Sequence, residues 1–134
     1  MTFLFPRRSA ALFALAAGLS GCDDSMAPDQ VVLQITALTA PATIAEGETL
    51  VAQITVQSGG CRRFDRIVST RATGRVTFRA LGLDSSRPDG VCTGDIRTDV
   101  VEWRTDGPFT DPFLLVGVQP SGEEMRRTVH VVSR

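Results

Sequence analysis

The stretch TLVAQITVQ, residues 49–57, decides the fold. Leu50, Ala52, Ile54 and Val56 fall on one side of it, and Val51, Gln53, Thr55 and Gln57 on the other. A period of two belongs to an extended strand with one face buried, because successive side chains leave the pleat in opposite directions. Working outward, RVTFRAL (75–81) repeats the pattern with Val76, Phe78 and Ala80 on one face, and RRTVHVV (126–132) does so with Val129 and Val131. VVLQITAL (31–38) is rich in branched side chains that suit a pleated surface. IRTDVVEWRT (96–105) and PFLLVGVQ (112–119) are strand-like, and FDRIVSTRA (64–72) is a strand whose facing the pattern leaves open. Between them stand Pro41, Glu46-Gly47-Glu48, Ser58-Gly59-Gly60, Gly74, Asp106-Gly107-Pro108 and Pro120-Ser121-Gly122-Glu123, all turn chemistry. LDSSRPDGVCTGD (83–95) reads as a long polar loop. About seven short strands at even spacing predict an all-β chain, a β-sandwich over residues 31–134.

The first 22 residues follow different rules. MTFLFPRRSAALFALAAGLSGC places Arg7 and Arg8 before an uncharged, mostly small and apolar run from Ser9 to Ser20. A run of that length suits the central region of a signal peptide and is short for a helix that spans a bilayer, which needs roughly 20 residues. Leu19-Ser20-Gly21-Cys22 resembles the lipobox of bacterial lipoproteins. The resemblance implies that the helical signal peptide (1–21) is cleaved, that Cys22 is lipidated, and that the chain is held on the extracytoplasmic side of a bacterial membrane, periplasmic or at the surface. Two or three acyl chains give stable anchoring where one does not. Asp23 to Gln30 then read as a polar tether reaching at most roughly 25 Å.

The three cysteines fit this assignment. With Cys22 taken by lipid, Cys61 and Cys92 remain, and an oxidising compartment favours their pairing. Closing a loop of about 30 residues is worth roughly 3–4 kcal/mol in the chain-entropy picture.

PATIAEGETLVAQITVQSGGC (41–61) and PFLLVGVQPSGEEMRRTVHVV (112–132) together resemble the immunoglobulin-like domains of bacterial surface proteins. The carriers are the Pro-x-x-Ile-x-x-Gly-Glu lead into an alternating strand and the final hairpin. The chain departs from antibody-type domains in placing Cys61 and Cys92 in loops rather than mid-strand, and in having no Tyr. The resemblance concerns fold, and fold alone does not give function.

The residues offer little catalytic chemistry. A formal net charge of −1, nearer about −3 once Arg7 and Arg8 are removed, argues against a nucleic-acid partner. His130 is the only His, too few for a zinc or copper site, and it reads as an ordinary strand residue. Asp84, Asp89 and Asp95 share a loop but do not match a calcium-loop order. No Gly-x-Ser-x-Gly elbow and no glycine-rich phosphate loop is present. The expectation is a protein that is not an enzyme and uses no metal or cofactor. Trp103 reads as a core residue. Arg62, Arg63 and Arg66 cluster after Cys61, and Arg126 and Arg127 open the last strand. Brought together, these forks would suit an anionic glycan, a lipid headgroup or a carboxylate-rich partner. The functional expectation is a lipid-anchored envelope protein, tied to the membrane through Cys22, whose domain binds an envelope protein or polymer through the 58–66 and 83–95 loops. A small proteinase inhibitor presenting loops to a protease cleft, and a structural spacer without a discrete ligand, are the alternatives.

Overall fold

The computed structural model describes residues 27–134. The signal peptide expected at 1–21 and the lipidation expected at Cys22 fall outside the described residues. The described chain is all-β, with eight strands: β1 (Asp29–Thr39), β2 (Thr43–Ala45), β3 (Leu50–Gly59), β4 (Arg62–Ala72), β5 (Arg75–Asp84), β6 (Ile96–Thr105), β7 (Phe113–Val118) and β8 (Glu124–Val132). The strand beyond the expected seven is β2. Three residues between Pro41 and the Glu46-Gly47 turn are too few for a period of two to show. β1 begins at Asp29 because β5 supplies partners that far, with Asp29 opposite Asp84. Two residues of the expected tether are therefore strand.

The pairing forms one connected sheet that folds back on itself. β1 is shared: Asp29–Leu33 pair with Ala80–Asp84 of β5, and Gln34–Thr39 pair with Gln53–Gln57 of β3. β6 pairs with β3 along its whole length. β4 pairs with β5, and β7 runs parallel to Arg75–Phe78 on the edge of β5 that β1 leaves free. β8 is antiparallel to β7, and β2 is parallel to β8. Phe78 of β5 meets Trp103 of β6 edge-on at 4.9 Å although the two strands share no ladder. That contact closes the apolar interior between them.

The expected alternations become the core. Leu50, Ala52, Ile54 and Val56 are buried from β3, Val76, Phe78 and Ala80 from β5, and Val129 from β8. Leu33, Ile35, Phe113 and Leu115 complete the centre, while Trp103 and Val131 pack against it half-buried. Truncating a fully buried ring such as Phe78 to Ala costs about 3–5 kcal/mol in such interiors.

Two bulges explain what the pattern left open. The register slips between Phe64 and Arg66 in β4, so Phe64 and Ile67, three apart, both turn toward the core. A second slip between Ile35 and Ala37 lets Ile35 and Leu38 share the inner face.

The strands define two ends. The near end holds Ala27–Asp29, the β3–β4 turn, the segment 85–95 and the turn 119–123. The far end holds the segments 40–49 and 106–112 and the Thr73-Gly74 turn.

Candidate functional site

Facing follows from register. Val76, Phe78 and Ala80 are core, so Arg75, Thr77, Arg79, Leu81 and Leu83 of β5 point outward. Their partners on β4 share that face: Arg63 opposite Leu83, Arg66 opposite Leu81, Val68 opposite Arg79 and Thr70 opposite Thr77. On β7 the core residues Phe113 and Leu115 leave Leu114 and Val116 outward, and Arg126 stands opposite Val116 on β8. The outer face of β4-β5-β7-β8 thus carries Arg63, Arg66, Arg75, Arg79 and Arg126. Its acids are Asp65, at the bulge, and Glu124. Five arginines against two carboxylates, on a chain of formal net charge −1, make this the basic side of the molecule.

The side chains are part held and part available. Glu124 sits 2.7 Å from Arg126 and 3.8 Å from Arg75, bridging two of the guanidiniums. Arg66 pairs with Asp65. Arg63 turns back to donate to the carbonyls of Gly60 and Arg62 at 3.1 and 3.3 Å. Arg79 lines a shallow concavity with Val68, Thr70 and Thr77. Val116 is fully buried yet lies outside the core cluster, with Thr77 and Arg126 beside it in register. Arginine stems lying over an apolar floor with their heads in water are a familiar way to cover such a residue.

The expected cluster Arg62, Arg63, Arg66 is therefore divided. Arg63 and Arg66 belong to the basic face, whereas Arg62 turns the other way and binds Asp84 at 2.9 Å. Arg127 likewise leaves the face and donates to the carbonyl of Ala40 at 3.2 Å. Arg75 and Arg79 were the members not foreseen. Their signal was present, since both fall on the polar side of the alternation in residues 75–81.

The 58–66 and 83–95 regions meet at the near end. Cys61 and Cys92 are disulfide-bonded, with Cα atoms 5.1 Å apart. Ser85 donates to the carbonyl of Cys61 through both its N–H and its hydroxyl, at 3.0 and 3.1 Å, and the Gly60 N–H donates to the carbonyl of Asp95 at 3.2 Å. Gly59 has a φ of +140°, and a Cβ there would strike that same Asp95 carbonyl. A residue with a side chain is thus excluded at this crossing. Ser86, through hydroxyl and backbone N–H, and then Arg62 hold the Asp84 carboxyl down at about 2. The Thr93 hydroxyl and then Arg97 hold Asp95 at about 2. Both acids are engaged in closing the loop.

At the far end Arg71 organises the segment after β6. Its guanidinium donates to the carbonyls of Asp106 and Pro108, each at 2.7 Å, and to the Thr105 hydroxyl at 3.1 Å. It also lies 5.1 Å from the Phe109 ring and 5.7 Å from the Phe113 ring. His130 is exposed, with Nδ1 3.3 Å from the Asp111 carboxylate. Among the described residues no three His, Cys, Asp or Glu side chains are grouped so as to hold a metal ion, and no helix is long and apolar enough to cross a membrane. No protein-family model, curated protein or solved structure compared with the chain matches it.

Proposed function

We propose that this chain is a lipid-anchored protein of the bacterial cell envelope, held through Cys22. Its single immunoglobulin-like sandwich is a non-enzymatic binding module for an anionic envelope polymer or protein. The observation that carries the reading is the gathering of Arg63, Arg66, Arg75, Arg79 and Arg126 on one sheet face. Guanidinium forks match carboxylate and phosphate groups in pairs, and a rigid sheet fixes their spacing. The lipobox resemblance at residues 19–22 supports the anchor. The disulfide supports an oxidising compartment. Strand count and inward alternation support the sandwich. The parallel pairs β5–β7 and β2–β8 give it a strand order of its own beside the antiparallel sheets of antibody domains.

In-cell crosslinking of the tagged full-length chain tests the reading, with Arg66→Glu/Arg79→Glu as the face variant and Cys22→Ser as the unanchored control. One partner recovered reproducibly with the wild-type chain and lost with the face variant is the expected result. Equal recovery with the face variant removes the basic face from the proposal. Recovery of nothing in either case moves the reading to a spacer.

A further inference from the structure

Among the described residues the most exposed large apolar side chain is Val91, at 96% exposure. It is not on a loose strap. The Gly90 N–H donates to the Arg87 carbonyl at 3.0 Å, closing a turn just before it, and Cys92 just after it is tied to the β3–β4 turn. Ile96, 73% exposed at the start of β6, and Leu83, near the end of β5, lie at the same end of the strands. The chain also enters here. Ala27, Pro28 and Asp29 line one cleft with Asp84 to Asp89. Six residues separate Cys22 from Asp29, so the first residue of β1 is within roughly 25 Å of the proposed lipid site. The loops expected to recognise a partner therefore lie at the end of the domain within reach of that site.

We propose that the stapled loop is a second, non-covalent membrane contact. Val91, at the strand end that also carries Ile96 and Leu83, seats in the headgroup–acyl boundary of the leaflet that holds the lipid on Cys22. The inference rests on the lipid-anchor reading. The rim charges favour an apolar contact over an electrostatic one. Arg62 is bound by Asp84 and Arg97 by Asp95, and the remaining Arg63 and Arg87 are outnumbered by Asp29, Asp89 and Glu123. A lone valine would not hold a free domain on a bilayer. Tethering changes this, because a linked contact forms at an effective concentration on the order of millimolar. The contact then sets orientation: strands stand upright, and the basic face looks sideways along the membrane.

The test uses the acylated full-length chain in phosphatidylcholine vesicles with brominated acyl chains. Wild type carries Trp103 alone, half-buried in the domain, and gives the baseline. Val91→Trp adds a reporter at the loop tip, and Ile96→Trp is the second reporter should the first disturb the loop. The expected result is loss of about half of the added emission on bromolipid, at both low and high salt, with Trp103 unchanged. The mass of the N-terminal peptide is measured on the same sample. A lipidated Cys22 with unquenched reporters overturns the inference and leaves the anchor standing. An unlipidated Cys22 overturns both. Quenching that disappears at high salt overturns the apolar contact.

Discussion

The two ends of the domain solve one problem with different chemistry. Each must hold a stretch of chain that lacks strand pairing: residues 85–95 at the near end and 106–112 at the far end. The near end uses a covalent bond, Cys61–Cys92, with Asp84 and Asp95 closing the loop mouth through Ser86, Thr93, Arg62 and Arg97. These partners all belong to the loop or to the strand ends beside it. The far end uses a single cation. Arg71 reaches 35 and 37 residues ahead to the carbonyls of Asp106 and Pro108 and lies over Phe109 and over Phe113, itself buried in the core. The near end is thus stabilised apart from the core, while the far end is coupled to it.

The sharpest break in this contrast is removal of the disulfide. Cys61→Ser with Cys92→Ser is expected to lower stability by roughly 3–4 kcal/mol, since a loop spanning 31 positions is no longer closed in the unfolded chain. Urea unfolding reads the loss, and proteolysis sites should appear in 85–95 before they appear in 106–112. Arg71→Ala comes next, at about 1–2 kcal/mol, the value of charge-assisted bonds discounted for exposure. Arg71→Lys should restore less than half of this, because an ammonium cannot span two carbonyls and stack on a ring. Here cleavage should appear first in 106–112, and cleavage beginning at the near end instead would dissolve the contrast. The smallest effect is on pH. Asp84 and Asp95 sit near 2 in the folded chain, below the ordinary value of 3.8, so their contribution is complete above about pH 4 and is lost as pH falls through 2. Amide protection at 85–95, measured against the intrinsic exchange rate at each pH, should therefore fall over that window.

Legibility followed regularity. Residues 50–56, 76–80 and 129–131 alternate without interruption, and their inward members are the ones found in or against the core. Residues 62–72 resisted because a bulge at Asp65 puts Phe64 and Ile67 on one side, which a period of two cannot express. The same bulge concealed the basic face: until Arg63 and Arg66 are assigned a side, they cannot be joined to Arg75 and Arg79. Cys61–Cys92 was readable by counting thiols. Arg71 was not, since its acceptors are distant backbone carbonyls that carry no side-chain signature.

The divided pairing of β1 has a mechanical consequence. Asp29–Leu33 are bonded to β5 and Gln34–Thr39 to β3, so one strand stitches both parts of the sheet at the point where the chain arrives. A pull transmitted through Asp29 along the strand strains these ladders lengthwise, many bonds sharing the load together, instead of peeling them off one by one. Rupture under such a load is set by the unfolding rate, and a strand loaded in shear gives way slowly.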